Sequence, residues 1–171
     1  MENKIEIADG VVIRPIVPAD KPLMEEFFKA MGGESRAMFD RSGYNSRTML
    51  KYCDEPIPTQ RFWMAEYEGK AAGYVFFYNY GSMIPELGIA VRDDLKGLHL
   101  GSRLMDYAID HAKGAGKGGI RLTTLTANVR GQVLYERKGF KRLGLYTNLI
   151  ELFYLLSFED KNVTAEQSTA K

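Results

Sequence analysis

The chain has 171 residues, 45% of them hydrophobic and 26% charged. That size and balance suit one globular domain with its own core, and exclude a wholly disordered or collagen-like chain. Lys and Arg number 23 against 22 Asp and Glu, a net charge of +1 that argues against nucleic-acid binding by bulk charge.

Residues 11–16 read as a first strand, with Pro15 and Pro18 at its end. Asp20 stands where a helix N-cap belongs, and Pro22 falls in the first turn. Leu23, Met24, Phe27, Phe28 and Met31 follow at helical spacing, and Gly32-Gly33 ends the helix. Shorter helical pieces are expected over 34–41 and 46–54, and Glu55-Pro56-Ile57-Pro58-Thr59 breaks the pattern. Strands are expected over 61–66 and 71–78, joined by the turn signal Glu68-Gly69-Lys70. In the second of these, alternation puts Tyr74, Phe76 and Tyr78 on one face and Val75, Phe77 and Asn79 on the other.

Residues 85–91 form a further apolar run. A helix then starts near Leu100, with Leu104, Tyr107, Ala108 and Ala112 on its apolar side and Gly114 and Gly116 at its end. A strand over 120–126, a short helix over 131–138 and strands over 140–145 and 149–156 complete the pattern, the last two joined by Tyr146-Thr147-Asn148. Residues 1–158 make one domain and 159–171 a polar, flexible tail. The order implies a mixed α/β (α+β) fold, not a doubly wound repeat.

One cysteine, Cys53, permits no internal disulfide and no Cys-based zinc site, and two separated histidines offer no metal cluster. Cys53 reads as a partly buried helix residue. The lone thiol, the polar start and the lack of an apolar run of ~18 residues set the expectation of a cytoplasmic chain that spans no membrane. The apolar run 149–156 is a candidate subunit contact in a homodimer.

The most informative segment is Leu95-Lys96-Gly97-Leu98-His99-Leu100-Gly101-Ser102. A helix start leaves backbone N–H groups without intrahelical partners, and the positive end of the dipole favours an anion there. Gly97 and Gly101 allow close approach to the backbone, and Lys96 and Ser102 can add side-chain contacts. Glycines before a helix also serve as plain turn residues. Neither the Gly-Lys-Ser/Thr triplet of a Walker loop nor GxGxxG is present.

Glu86-Leu87-Gly88-Ile89-Ala90-Val91, then Lys96-Gly97-Leu98-His99-Leu100-Gly101, then an amphipathic helix, resemble motif A of the GNAT N-acetyltransferases. Lys96 stands at the motif's first position, His99 where its first glycine is usual, and Gly101 at its last. Thr126-Ala127-Asn128 and Leu134-Tyr135-Glu136-Arg137-Lys138-Gly139-Phe140 are similar to motif B. The resemblance covers about residues 11–157, with the motifs in the family's order.

The resemblance implies a mainly antiparallel sheet of about six to seven strands with flanking helices, and two neighbouring parallel strands splayed apart. It implies acetyl transfer from acetyl-CoA to a primary amine of a small molecule, peptide or protein. The pantetheine arm would lie in the gap against the main chain of Ile89, Ala90 and Val91. The pyrophosphate would rest on Leu98, His99, Leu100, Gly101 and Ser102, with Lys96, Gly97 and Lys138 beside it, and Asn128 would face the arm from across the gap. Tyr135 matches the family tyrosine that protonates the departing thiolate; without that context it is a core aromatic. Glu86 is the candidate general base, or else a solvated strand-end carboxylate. A bulge in the strand over 86–91 would free a backbone N–H for the oxyanion. Arg36, Phe39, Arg41, Tyr44 and Tyr146 are candidate acceptor contacts.

His99 belongs at the phosphate end, touching phosphate or solvent. His111, near a helix C-terminus where a cation is favoured, is given no chemistry. Two other readings remain open: a non-catalytic acyl-CoA-binding or sensing module, and an acetyltransferase directed at tRNA or the ribosome, against which the net charge argues.

Overall fold

The computed structural model describes residues 5–41, 46–95, 97–146 and 150–158. Eight strands form one sheet: β1 (Glu6–Ala8), β2 (Val11–Pro15), β3 (Arg61–Tyr67), β4 (Lys70–Tyr78), β5 (Glu86–Val91), β6 (Gly119–Leu125), β7 (Lys141–Leu145) and β8 (Glu151–Ser157). Among the described residues five α-helices flank them, α1 (Lys21–Ala30), α2 (Gly33–Arg41), α3 (Ser46–Asp54), α4 (Leu100–Gly114) and α5 (Val129–Arg137), with one 3-10 turn at Pro18–Asp20. The spatial order is β1-β2-β3-β4-β5-β6-β8-β7. Every neighbouring pair is antiparallel except β5 with β6.

The mixed, mainly antiparallel fold expected from the sequence is present, with one strand more than the six to seven foreseen. The addition is β1. Asp9 and Gly10 both take positive φ, 52° and 75°, and turn β1 back onto β2 as a two-residue hairpin. The same device closes β3 onto β4 at Glu68 and Gly69, with φ 50° and 72°.

Strand β4 is buried on both sides because helices cover both faces of the sheet. Tyr74 and Phe76 pack with Met24, Phe27 and Met49 under α1 and α3. Val75 and Phe77 pack with Trp63, Leu104 and Ala108 under α4. The alternation expected for this strand therefore separates two cores. Cys53 is fully buried in the first of them, and desolvation pushes its thiol up to about 11, which leaves it unreactive.

Asp20 departs from its expected role. It stands at the N-cap position of α1 but makes no side-chain cap. Its carboxylate accepts instead from the Val17 N–H at 2.8 Å and from both terminal nitrogens of Arg14 at 2.8 Å. Burial works against the ion, but the Arg14 hydrogen bond prevails and holds Asp20 below the usual carboxylate range. Arg14 also binds Glu66 at 2.9 Å, tying β2, β3 and the turn before α1 together.

Strand β8 enters between β6 and β7. Its apolarity is used within the chain, with Leu152 and Tyr154 buried beside α5. β7 is the edge strand at this end of the sheet, as β1 is at the other, and its Leu143 and Leu145 are exposed. Residues 159–171 and the link 147–149 lie outside the described residues.

Candidate active site

Strands β5 and β6 form one residue pair, Glu86 with Arg121, held by a hydrogen bond from the Arg121 N–H to the Pro85 carbonyl at 3.1 Å. Beyond it they diverge around a cleft of about 730 Å³. On its other edge β5 pairs with β4 at six consecutive residues with no shift of register. The bulge expected in β5 is therefore absent; the register shifts of the sheet lie in β3–β4 at Ala65/Glu66 and in β7–β8 at Arg142/Gly144.

The divergence frees backbone groups without a bulge. The Arg92 N–H donates to the Ala72 carbonyl at 3.0 Å, so even-numbered residues of β5 turn their main chain to β4. Ile89 and Val91 turn theirs into the cleft. Ala90 does not: its main chain faces β4 and its side chain is buried in the core under α1.

At one end the cleft meets a groove of about 660 Å³ at the start of α4. His99 is the N-cap, in the left-handed region at φ 50° and ψ 33°, with no side-chain cap. The first bond of the helix runs from the Arg103 N–H to the His99 carbonyl at 3.0 Å. The N–H groups of Leu100, Gly101 and Ser102 consequently have no intrahelical acceptor. The His99 backbone performs the turn usually given to glycine, and its side chain is exposed at the groove wall. Gly97 takes φ 83° in the same loop, and Leu98 is packed against the α4-side core. Lys96 lies outside the described residues. Arg130, Arg137 and Lys138 form the opposite wall. The Lys138 ammonium is held by Asp106 at 2.6 Å, so the two arginines are the less committed cations there.

The other wall of the cleft carries Tyr135, Asn128 and Thr124. Tyr135 is buried, with its ring 5.9 Å from Tyr154 and 6.2 Å from Phe140. Desolvation pushes its phenol up to about 12, opposed by a hydrogen bond with Thr124. Asn128 faces the cleft but is not free: its Oδ1 caps α5 by accepting from the Gly131 N–H at 3.1 Å, and its Nδ2 donates to Thr124 Oγ1 at 2.9 Å.

At the paired end of β5 and β6, Glu86 accepts a hydrogen bond from Arg121 at 3.3 Å and sits opposite Tyr78 in the β4 register. The solvated strand-end carboxylate is replaced by one mostly covered and ion-paired. Phe39 lines the cleft, stacked on Phe28 and edge-on to Tyr74. Arg36, on the same helix, is not at the cleft and reaches the Phe28 carbonyl at 3.5 Å. Tyr146 is also outside it, with its ring 6.1 Å from Phe153 near the β7 edge of the sheet. Tyr44 lies outside the described residues, as does the Arg41 side chain. Asp93 binds the Ser35 hydroxyl at 2.9 Å and the Gly32 N–H at 3.3 Å, fastening the start of α2 over the cleft.

Residues 24–140 match the model of the Acetyltransferase (GNAT) family. The chain belongs to that family. A stretch of 84 residues is 34% identical to the probable N-acetyltransferase camello of Xenopus tropicalis, covering 47% of this chain and 38% of that protein. The chain thus spans well under half the length of that curated relative. The GNAT domain of S. lividans PAT has the same fold, with a TM-score of 0.74 at 15% identity over 86% of this chain and 90% of that one. RimJ of Mycobacterium smegmatis, solved in complex with CoA-disulfide, superposes with a TM-score of 0.67 at 15% identity, covering 90% of this chain and 85% of that one.

Within this GNAT chain, sequence reasoning missed three cleft residues. Arg130 and Arg137 lie on α5, beyond β6 from the glycine loop's helix, and meet its start only across the groove that both line. Thr124 was one position among several in an unremarked strand; its 6% exposure is what sets it apart. His111 packs at 4.5 Å on Trp63, and burial followed by the Arg61 charge lowers its pKa, so the cation expected there is disfavoured. Among the described residues there is no group of three or more potential metal ligands, and no helix is long and apolar enough to cross a membrane.

Proposed function

We propose that this GNAT chain is an acetyl-CoA-dependent N-acetyltransferase that moves an acetyl group to a primary amine by direct attack in a ternary complex. The carrying observation is the single-pair β5–β6 junction, which opens one continuous path from the uncapped start of α4 to Tyr135. The residues present fit a diphosphate-bearing thioester. Leu100, Gly101 and Ser102 offer N–H groups to its phosphates, and Arg130 and Arg137 offer charge. Ile89 and Val91 offer strand-edge hydrogen bonds to its amides.

Acetyl-CoA supplies the activated acyl group. The chain's own residues meet the other demands of the reaction. The Ile89 N–H, facing the cleft, can hydrogen-bond the carbonyl oxygen as it gains charge. Glu86, oriented by Arg121, is the cleft carboxylate assigned to accept a proton from the attacking amine, directly or through water. An alkyl ammonium with pKa ~10 must lose that proton before it can attack.

Tyr135 remains protonated throughout the working range because burial raises it to about 12. A free thiol lies near ~8.5, so outright transfer from this phenol to a thiolate is uphill. Its contribution is a hydrogen bond to the sulfur as negative charge develops there.

The test is acetyl-CoA turnover against a panel of amines, with CoA binding measured by calorimetry in parallel. Tyr135→Phe is expected to lower kcat about 10²-fold with little change in CoA affinity. Glu86→Gln is expected to lower kcat with little change in CoA affinity. Binding with no turnover of any amine, and indifference to both substitutions, would favour a non-catalytic acyl-CoA-binding module.

A further inference from the structure

Helix α2 starts without a cap of its own. Its first bond runs from the Arg36 N–H to the Gly32 carbonyl at 2.9 Å, which puts Gly32 at the N-cap and Gly33 next to it. Glycine has no side chain to accept from the open N–H groups of the first turn. Nine residues are also too few for a helix to persist in water by itself. The acceptor comes from another part of the chain. Asp93, two residues past the end of β5, accepts from the Ser35 hydroxyl on Oδ1 at 2.9 Å and from the Gly32 N–H on Oδ2 at 3.3 Å. A carboxylate there also meets the positive end of the helix dipole.

Gly32 is fitted to this contact. A Cβ at that position would stand 2.9 Å from Asp93 Oδ2 and 3.8 Å from its Cγ, and would drive the carboxylate off the N–H it accepts from. Farther along α2, the Phe39 ring stacks on Phe28 at 5.9 Å and meets Tyr74 edge-on at 6.1 Å. Phe39 belongs to the core under α1 and α3, on the face of the sheet away from α4. From there it lines the β5–β6 cleft together with Phe76, Ser35 and Asp93.

We propose that Asp93 is a positioning residue: by capping α2 from the end of β5, it holds Phe39 as the wall against which the amine acceptor is seated. This role rests on the acetyltransferase reading of the cleft, in which the cofactor occupies the groove at the start of α4 and the acceptor arrives on the α2 side. One strand then serves both substrates, with the main chain of Ile89 and Val91 toward the thioester and Asp93 toward the acceptor wall. Because Phe39 and Phe76 make that wall apolar, it favours an amine borne on an aromatic or apolar group over a small polar one.

Two measurements test this, and the first needs no turnover. Hydrogen–deuterium exchange is followed in the full chain. Asp93→Ala speeds exchange of the α2 amides from residue 36 onward about fivefold and leaves those of α4 unchanged. Ser35→Ala gives a smaller rise in the same segment, and Asp93→Asn, which keeps one acceptor oxygen, restores most of the protection. Unchanged exchange of α2 in Asp93→Ala overturns the cap.

The second is steady-state turnover of acetyl-CoA with benzylamine and with ethanolamine. Asp93→Ala raises the KM for benzylamine about fivefold and leaves the KM for ethanolamine and the affinity for acetyl-CoA within about twofold. Asp93→Asn brings the benzylamine KM back toward the parent value. On a Phe39→Ala background Asp93→Ala adds nothing further. A general loss of stability would lower the active fraction, and so the apparent kcat with both amines, without moving one KM. If exchange rises but the benzylamine KM does not, the cap stands and the acceptor role falls. A parent enzyme that prefers ethanolamine overturns the apolar wall. If the parent acetylates no amine at all, the acetyltransferase reading fails and the acceptor role with it, while exchange alone decides the cap.

Discussion

Toward β4, strand β5 makes six consecutive residue pairs; toward β6 it makes one. The two edges belong to the same six residues, so local propensity cannot account for the difference. On the β4 side, Gly88 lies directly beneath the Phe76 ring, where any Cβ would overlap it. That close approach seats β5 against β4. On the β6 side, the Glu86–Arg121 contact closes one end, and β6 turns instead to β8, with which it makes seven pairs. A backbone edge left unpaired and uncovered is normally a liability. Here it is sheltered in a cleft and equipped with donors, which is the arrangement a strand-like ligand requires.

The contrast can be broken most forcefully at Gly88. Gly88→Val must displace Phe76 from a packed core, and is expected to cost about 3 kcal/mol of stability or prevent folding. Urea denaturation reads the loss, and a variant as stable as the parent would show that the β4 edge is not set by this contact. At the open edge the opposite signature is expected. Arg137→Ala should weaken CoA binding about tenfold, flatten its salt dependence, and leave the melting temperature within about 2 °C, because the side chain is exposed and faces the groove.

The smallest effect belongs to His111, on the closed side of the molecule. Its folded pKa is depressed, by burial first and by Arg61 second. The unfolded chain therefore binds more protons below pH ~6.5. The stability this imidazole supports is complete above that value and is lost as pH falls through the folded pKa. Denaturation midpoints between pH 7.5 and 5 should decline, and His111→Gln should flatten that part of the curve by under about 1 kcal/mol. An equally steep decline in the variant would assign the effect to another group.

Much of the fold was legible because its signals are local. The two-faced β4 strand follows from alternation of Tyr74, Val75, Phe76 and Phe77, and each face met its own core. The helices over 21–30, 33–41, 46–54 and 100–114 follow from spacing and breakers. Strand β1 was passed over although Asp9-Gly10 is a strong hairpin signal, because a three-residue edge strand is too short for alternation to register. Asp20 stands at the N-cap position expected two residues before Pro22, but its carboxylate is taken by Arg14 from across a turn, a partner that spacing alone does not reveal.

Of the site, the glycine loop and Tyr135 stood out in the sequence through their motif context. Tyr146 and Arg36 did not reach the cleft, since the sheet order places β8 between β6 and β7 and the exposed side of α2 away from it. Arg130, Arg137 and Thr124 gave no signal until the fold placed α5 and β6 around the cleft and its groove.

Taken alone, then, the order of residues determined where helices and strands form, which faces are apolar, and that a glycine-bearing turn precedes a helix start near residue 100. These depend on neighbours within a few positions, where spacing and backbone preference act. Only the tertiary structure decided that β5 leaves β6 after one pair, that β8 fills the place beside β6, and that Thr124 and Tyr135 line the same cleft. Those facts depend on contacts between groups remote along the chain, and their energies exist only once the sheet has closed.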